Sequence, residues 1–156
     1  MNKPMIGREV GVKMTGFEMM GHYHHSIDAK GRLFIPARLR EELGDTFYVA
    51  ISTERCLAAY STEMWGGLVE KVRALPLVEQ KKARMLFSTA QKCELDGQGR
   101  ILLPQPLREY AELKKNVTIA GTGAVVEIWD SDKWAEIFEK EATPENMAAM
   151  LKELGI

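Results

Sequence analysis

The chain is poor in the groups that most often announce a function. Its 156 residues include two cysteines, Cys56 and Cys93. They are far apart in sequence and form no CxxC pair, which excludes a disulfide framework and a thiolate cluster and leaves two small buried thiols. No apolar run approaches the roughly 18 residues of a membrane-spanning helix. The start, Met1 to Gly16, has no continuous apolar core or cleavage pattern of an export signal, so a cytoplasmic protein with no membrane partner is expected. The formal net charge is −1, and no bulk basicity draws the chain to a polyanion. The Gly97-Gln98-Gly99-Arg100 run lies between two apolar runs and reads as a turn, not as a strand-to-helix phosphate loop. No Ser, His and acid recur together. Asp28 with Asp96, or either with Glu41 or Glu109, would make a carboxylate pair, but their place in turns beside Gly and Arg suits a structural role better than acid–base catalysis. His22 and His24 would share one face of a strand. With His25 they lack a nearby Cys or fourth His, and the half-exposed strand is the plainer reading than a metal site. Neither an enzyme nor a cofactor or metal is expected.

What the chain does have is one motif used twice. Asp28-Ala29-Lys30-Gly31-Arg32-Leu33-Phe34-Ile35-Pro36, followed by Leu39-Arg40-Glu41, returns as Asp96-Gly97-Gln98-Gly99-Arg100-Ile101-Leu102-Leu103-Pro104, followed by Leu107-Arg108-Glu109, at an offset of 68. Seven identities in register, with apolar exchanges between Arg and Pro, outrank every other local signal. Asp28 to Gly31 and Asp96 to Gly99 read as tight turns, since Asp bonds its own backbone and Gly tolerates a positive φ. The apolar runs on either side, Tyr23 to Ile27 and Leu33 to Ile35, suit a hairpin. A short helix follows, with Pro36 at its first position, Leu39 and Leu43 on one face and Gly44 as its end; the second copy lacks that Gly. Strands at Phe47 to Ile51 and Leu57 to Tyr60, and at Val117 to Ala120 and Val125 to Trp129, complete the units, with turns at Ser52-Thr53-Glu54 and Gly121-Thr122-Gly123. Tyr60 matches Trp129 and Trp65 matches Trp134 at an offset of 69, so a loop insertion of one residue is expected in the second copy.

Each unit of about 45 residues is too small to bury enough surface alone. The two copies should pack as an intramolecular pseudo-dimer, with Arg32 and Arg100 equivalent on one surface. Between them, Met64, Trp65, Leu68, Val69, Val72 and Leu75 form a helical stripe that Pro76 interrupts, and Leu77 to Thr89 forms a second helix. Asp130 or Ser131 caps a helix whose Trp134, Ile137 and Phe138 face inward. Thr143-Pro144-Glu145 starts another, and its Met147, Met150, Leu151 and Leu154 make a face buried against the body or against a neighbour. From Lys71 to Arg84 the connector carries Lys71, Arg73, Lys81, Lys82 and Arg84 against Glu79. The end carries Asp132, Glu136, Glu139, Glu141, Glu145 and Glu153. These are two solvated faces, or faces that meet within or between subunits.

The repeated turn offers an Arg just past a Gly, and each short helix adds another, Arg40 and Arg108. A guanidinium fork matches phosphate oxygens and the O6/N7 edge of guanine, and a two-stranded ribbon fits a major groove. Alternatively Arg32 and Arg100 pair with Asp28 and Asp96 and hold the turn. Spacing alone leaves both readings open.

On these motifs, on Ile35-Pro36 and Leu103-Pro104, the helical connector, and Glu127-Ile128-Trp129 before the last helices, the sequence resembles the MraZ family of bacterial regulators, built from two AbrB-like (SpoVT-AbrB) domains, over about Met19 to Phe138. The resemblance implies an α+β fold: a tandem-repeat, swapped-hairpin double-psi-type β-barrel with a helical connector and C-terminal helices. It divides the chain into an N-terminal extension (1–18, disordered), a first repeat (19–65), a connector (66–90), a second repeat (91–134) and C-terminal helices (135–156). It implies a ring-shaped homo-oligomer, nucleoid-associated, that binds double-stranded DNA at tandem promoter repeats and represses the division and cell-wall cluster including its own promoter. The implied DNA contacts are Arg32, Arg100, Lys30, Arg40 and Arg108, with Asp28, Gly31, Asp96 and Gly99 as turn partners. Gln98 stands where Lys30 stands in the first copy, which weights DNA binding toward that copy. An oligomeric scaffold or an antitoxin-like partner-binding protein of the same fold are the competing functions. Residues 1–18 precede the resemblance and are expected to reflect an upstream start, with Met19 or Met20 as the natural one. The rival is a disordered arm whose Lys3, Arg8 and Lys13 touch phosphate.

Overall fold

Each turn of the repeat feeds strands that pair mainly with the other copy. The computed structural model describes residues 17–156; the extension expected over 1–18 lies, apart from Phe17 and Glu18, outside them. The first copy supplies β1 (His22–Ser26), β2 (Arg32–Phe34), α1 (Ala37–Leu43), β3 (Thr46–Ile51) and β4 (Leu57–Ser61). The connector holds α2 (Thr62–Arg73), α3 (Leu77–Gln80), a 3₁₀ turn over Lys81–Ala83 and α4 (Arg84–Thr89). The second copy supplies β5 (Gln91–Glu94), β6 (Arg100–Leu102), α5 (Gln105–Tyr110), β7 (Asn116–Gly121) and β8 (Val126–Asp130), and α6 (Ser131–Glu141) and α7 (Pro144–Glu153) end the chain. The protein is α+β with antiparallel sheets.

The strands form a six-stranded sheet ordered β1-β7-β8-β4-β3-β5 and a separate ribbon, β2-β6. The two runs flanking the first turn therefore do not make the ladder the sequence suggests. They meet at one bridge, Ile27 to Leu33, after which β1 runs beside β7 and β2 beside β6. The alternation explains the exchange. β2 has three residues, and only Leu33 faces inward; pairing with β6 places it opposite Ile101 and buries both, which neither copy achieves alone.

The ladders also locate the insertion. Phe47 is paired as Val117 is, and Ser61 as Asp130 is, so the offset is 70 at the first strand of the pair and 69 at the second. Two residues enter between α5 and β7 and one is lost from the loop that follows. The extra length replaces a glycine cap. Gly44, at φ +85, ends α1 with its N–H on Arg40 O, whereas α5 runs on through Ala111 and turns at Glu112, at φ +53. Pro36 sits at the N-cap of α1, one position earlier than the sequence suggests.

One core joins the copies. Phe47, Val49, Leu57 and Ala59 meet Val117, Ile119, Val126 and Ile128, with Leu33, Ile35, Ile101 and Leu103 from the ribbon and Leu39, Leu43 and Leu107 from the short helices. Met19 joins it through a bridge to Gly123. Cys56 and Cys93 are free and buried, and burial pushes both thiols up to about 12, which leaves them unreactive near neutrality.

Ser61 caps α2, Asp130 caps α6 and Thr143 caps α7, each accepting a backbone N–H, as their short polar side chains favour. Trp65 packs on Tyr48, Tyr60 and Phe87, fastening the connector to the sheet. At the other end the expectation needs correcting. Trp134 and Ile137 are half-buried, but Phe138 is exposed, and Met147, Met150, Leu151 and Leu154 on α7 are exposed as well. The strands β7 and β8 are covered by α6.

Replacing Ile101, 1% exposed, by Ala should cost about 2–5 kcal/mol in urea unfolding, with one transition for the whole chain because the ribbon belongs to both copies. Two separated transitions would contradict a shared core.

Candidate nucleic-acid interface

The two turns are built alike, atom for atom. Asp28 Oδ1 accepts the N–H groups of Lys30 (3.0 Å) and Arg32 (2.9 Å), and its Oδ2 accepts Arg32 Nε at 2.7 Å. Asp96 Oδ1 accepts the N–H groups of Gln98 (2.8 Å) and Arg100 (2.9 Å), and its Oδ2 accepts Arg100 Nε at 3.0 Å. This is the pairing that a short acceptor two and four residues upstream makes possible, a backbone-mimicking turn closed by an ion pair. The Arg32 N–H holds the Asp28 carboxylate below its usual range, and the Arg32 guanidinium adds to this while desolvation opposes it. The Arg100 N–H does the same for Asp96, helped by the Gln98 N–H.

The antiparallel ribbon then sets the two arginines on one surface. Leu33 and Ile101 face each other inward, so Arg32 opposite Leu102, and Phe34 opposite Arg100, lie on the outward face. Ile35 N–H donates to Gly99 O at 3.0 Å and Leu103 N–H to Gly31 O at 2.8 Å, locking each turn to the strand of the other copy. Arg32 and Arg100 keep 39% and 30% of their side chains exposed. Asp takes Nε in each; among the described residues, no terminal nitrogen of either fork has a partner. The pairing of Arg32 and Arg100 with Asp28 and Asp96 is thus present, and it occupies one edge of each guanidinium and leaves the other.

Lys30 is exposed beside the first turn, and Gln98 is exposed at the same place in the second. Arg40 and Arg108 are placed differently. Arg108 Nε donates to Leu103 O at 2.9 Å and lies over Gly31, whose φ is +87 and where a Cβ would stand 2.5 Å from Leu103 O. Arg40 lies 5.2 Å over the Phe34 ring and its Nη1 covers Gly99, at φ +78; its Nε is buried without a partner. Each short-helix arginine therefore braces the turn of the opposite copy from behind. The glycines answer two demands at once, a left-handed backbone and an absent side chain.

Sequence reasoning gave Phe34 and Leu102 no role on this surface and weighed His25 only as a metal ligand. His25 packs on Phe34 at 5.0 Å. The signal was present in the alternation, which places positions 34 and 102 on the same face as the arginines. On the outer face of β1, His22 packs edge-on against Trp134 and Phe138, and His24 Nδ1 lies 2.8 Å from Thr118 Oγ1. Among the described residues no His, Cys, Asp and Glu side chains gather to hold a metal, and no helix is long and apolar enough to cross a membrane.

Depressed carboxylate pKa values fix the sign of the acid response. The unfolded chain binds protons at Asp28 and Asp96 before the folded one does, so their contribution is complete above the ordinary aspartate value near pH ~4 and is lost as pH falls below it. Urea midpoints of the wild type should therefore drop on acidification below that value more steeply than those of a D28N/D96N double variant. Parallel curves for the two would show that the turns do not depend on the charged carboxylates.

Comparison with known proteins adds the following. The family described as "MraZ protein, putative antitoxin-like" matches twice, over residues 19–87 and 86–153. A protein of Heliobacterium modesticaldum named Transcriptional regulator MraZ is 50% identical over 126 residues, 79% of this chain and 88% of its own. One of the same name from Carboxydothermus hydrogenoformans is 49% identical over 118 residues, 74% of this chain and 82% of its own. A third, from Alkaliphilus metalliredigens, is 43% identical over 141 residues, covering 88% and 99%.

Proposed function

The chain belongs to the MraZ family, and on that premise we propose that it is a sequence-specific DNA-binding regulator of transcription and not an enzyme. It acts in the cytoplasm, on the nucleoid, and represses the division and cell-wall gene cluster that includes its own promoter. The observation that carries this reading is the outward face of β2-β6, where Arg32 and Arg100 are held by Asp28 and Asp96 on one two-stranded ribbon. A ribbon of this width enters a major groove, and a guanidinium pinned through Nε reaches guanine or phosphate with little rotamer entropy left to lose. Arg32, Arg100 and Lys30 contact DNA in this reading, the first copy more heavily because Lys30 is Gln98 in the second. Arg40 and Arg108, expected as DNA contacts, are instead given the part of holding the ribbon, through Gly99 and Gly31. The strand exchange fits a swapped-hairpin barrel of double-psi type, with repeats at 19–65 and 91–134, a connector at 66–90 and C-terminal helices at 135–156.

A ring-shaped homo-oligomer completes the proposal. The exposed apolar face of α7 is flanked by Glu145 and Glu153. The α2 side offers an apolar groove of about 410 Å³ lined by Tyr60, Met64, Gly67, Leu68 and Val72, with Glu63 and Lys71 also in its lining. The two surfaces are different patches, so a contact between them is head-to-tail, and a head-to-tail contact that closes makes a ring. Avidity across tandem promoter repeats spaced near one helical turn then compensates for a net charge of −1.

The test is fluorescence anisotropy of the full chain and of Arg32→Ala on the DNA directly upstream of the gene, at two salt concentrations, with circular dichroism and light scattering. The wild type should bind with a steep salt slope, and folded, still oligomeric Arg32→Ala should bind at least about tenfold more weakly. Equal binding by both, or by neither, makes the ribbon architecture and favours a scaffold; a monomeric wild type removes the ring.

A further inference from the structure

The outward face of the ribbon is not the same in its two halves. Arg32 stands across from Leu102 and Phe34 across from Arg100, and Phe34 and Leu102 are equivalent positions of the repeat. Phe34 is half-buried, with the His25 ring at 5.0 Å on one side and Arg40 over it at 5.2 Å. In the second copy the place of His25 is taken by Cys93, which is buried in the core, and the place of Arg40 by Arg108, whose Nε turns to Leu103 O. Among the described residues nothing covers Leu102. It is 57% exposed, although its strand neighbours Ile101 and Leu103 are buried and the residue opposite is a half-exposed arginine.

A single exposed leucine is ordinary on a protein surface. This one matters for its position. Side chains directly opposite on an antiparallel pair stand about 5 Å apart at Cβ, and successive base pairs of duplex DNA are separated by about 3.4 Å. A base contacted from Arg32 therefore has its neighbour within reach of Leu102. The major-groove edge carries a single kind of apolar group, the C5 methyl of thymine.

We propose that Leu102 is a specificity-determining residue that packs on a thymine methyl next to the base or phosphate held by Arg32. The proposal rests on the reading of the ribbon as a DNA-binding surface. It assigns direct base readout to the second copy, where Lys30 is absent and an apolar side chain is bare. The first copy, with Lys30 outward and its aromatic sealed by His25 and Arg40, then supplies mainly charge.

The probe is the DNA directly upstream of the gene, prepared in two forms: one with thymine throughout, one with deoxyuridine in its place, which removes every C5 methyl. The full chain should bind the uracil form more weakly by about fourfold for each thymine in contact, the factor for one buried methyl group. Folded Leu102→Ala should bind both forms alike, near the affinity of the wild type for the uracil form, and Leu102→Met should restore the preference. The proposal is overturned if the wild type binds the two forms equally or if Leu102→Ala keeps the wild-type preference. It is also overturned if Leu102→Ala changes the oligomer mass in light scattering, which would make Leu102 a subunit contact. A folded wild type that binds neither form sinks the regulator reading as well, so the two failures are told apart.

Discussion

The structure hangs on the crossing of the two turns. The Gly31 carbonyl accepts the Leu103 N–H and the Gly99 carbonyl accepts the Ile35 N–H, so each turn is hydrogen-bonded to the strand that follows the other. These bonds hold β2 against β6, and the inward pair Leu33 and Ile101 can be buried only while they hold. The same crossing dictates residue type. Both glycines have φ near +80 and lie under an arginine from the opposite copy, so a side chain at either position would strain the backbone and push the brace away. One constraint thus couples core, turn and surface.

Much of this was legible before any coordinates. The repeat at an offset of 68 revealed the duplication, the Asp-x-x-Gly-Arg spacing revealed the turn, and Asp130 and Thr143 marked where the last two helices begin. What stayed hidden was which partner each element takes. Tyr23 to Ile27 and Leu33 to Ile35 carry the same alternation whether they pair with each other or with the other copy, because strand periodicity records which face is buried and not across which neighbour. Arg40 and Arg108 were hidden for a related reason: a guanidinium on a short amphipathic helix reads as exposed charge, and only the fold brings it onto a glycine of the opposite repeat. Phe138 misleads in the other direction: its spacing is that of a buried helix face and it is exposed, while the exposed face of α7 leaves a neighbour as its expected cover.

Duplication inside one chain also releases the copies from identity. A homodimer of single repeats would present the same ribbon face twice. Here Gln98 takes the place of Lys30, Cys93 that of His25 and Leu102 that of Phe34 in the second copy, so charge and apolar contact are divided between the halves. The C-terminal and connector helices differ in sign as well, acidic on one side and basic on the other. In the proposed ring that difference suits a head-to-tail contact between chains.

Hydrogen exchange measured by mass spectrometry, with and without the DNA directly upstream of the gene, tests the central claim most directly. The account predicts that DNA slows exchange in both turn segments, residues 28–34 and 96–102, together, since the ribbon is one surface made by two copies. Slowing confined to α2–α4 or α6–α7, with both turns unchanged, would contradict it and place the interaction elsewhere on the molecule.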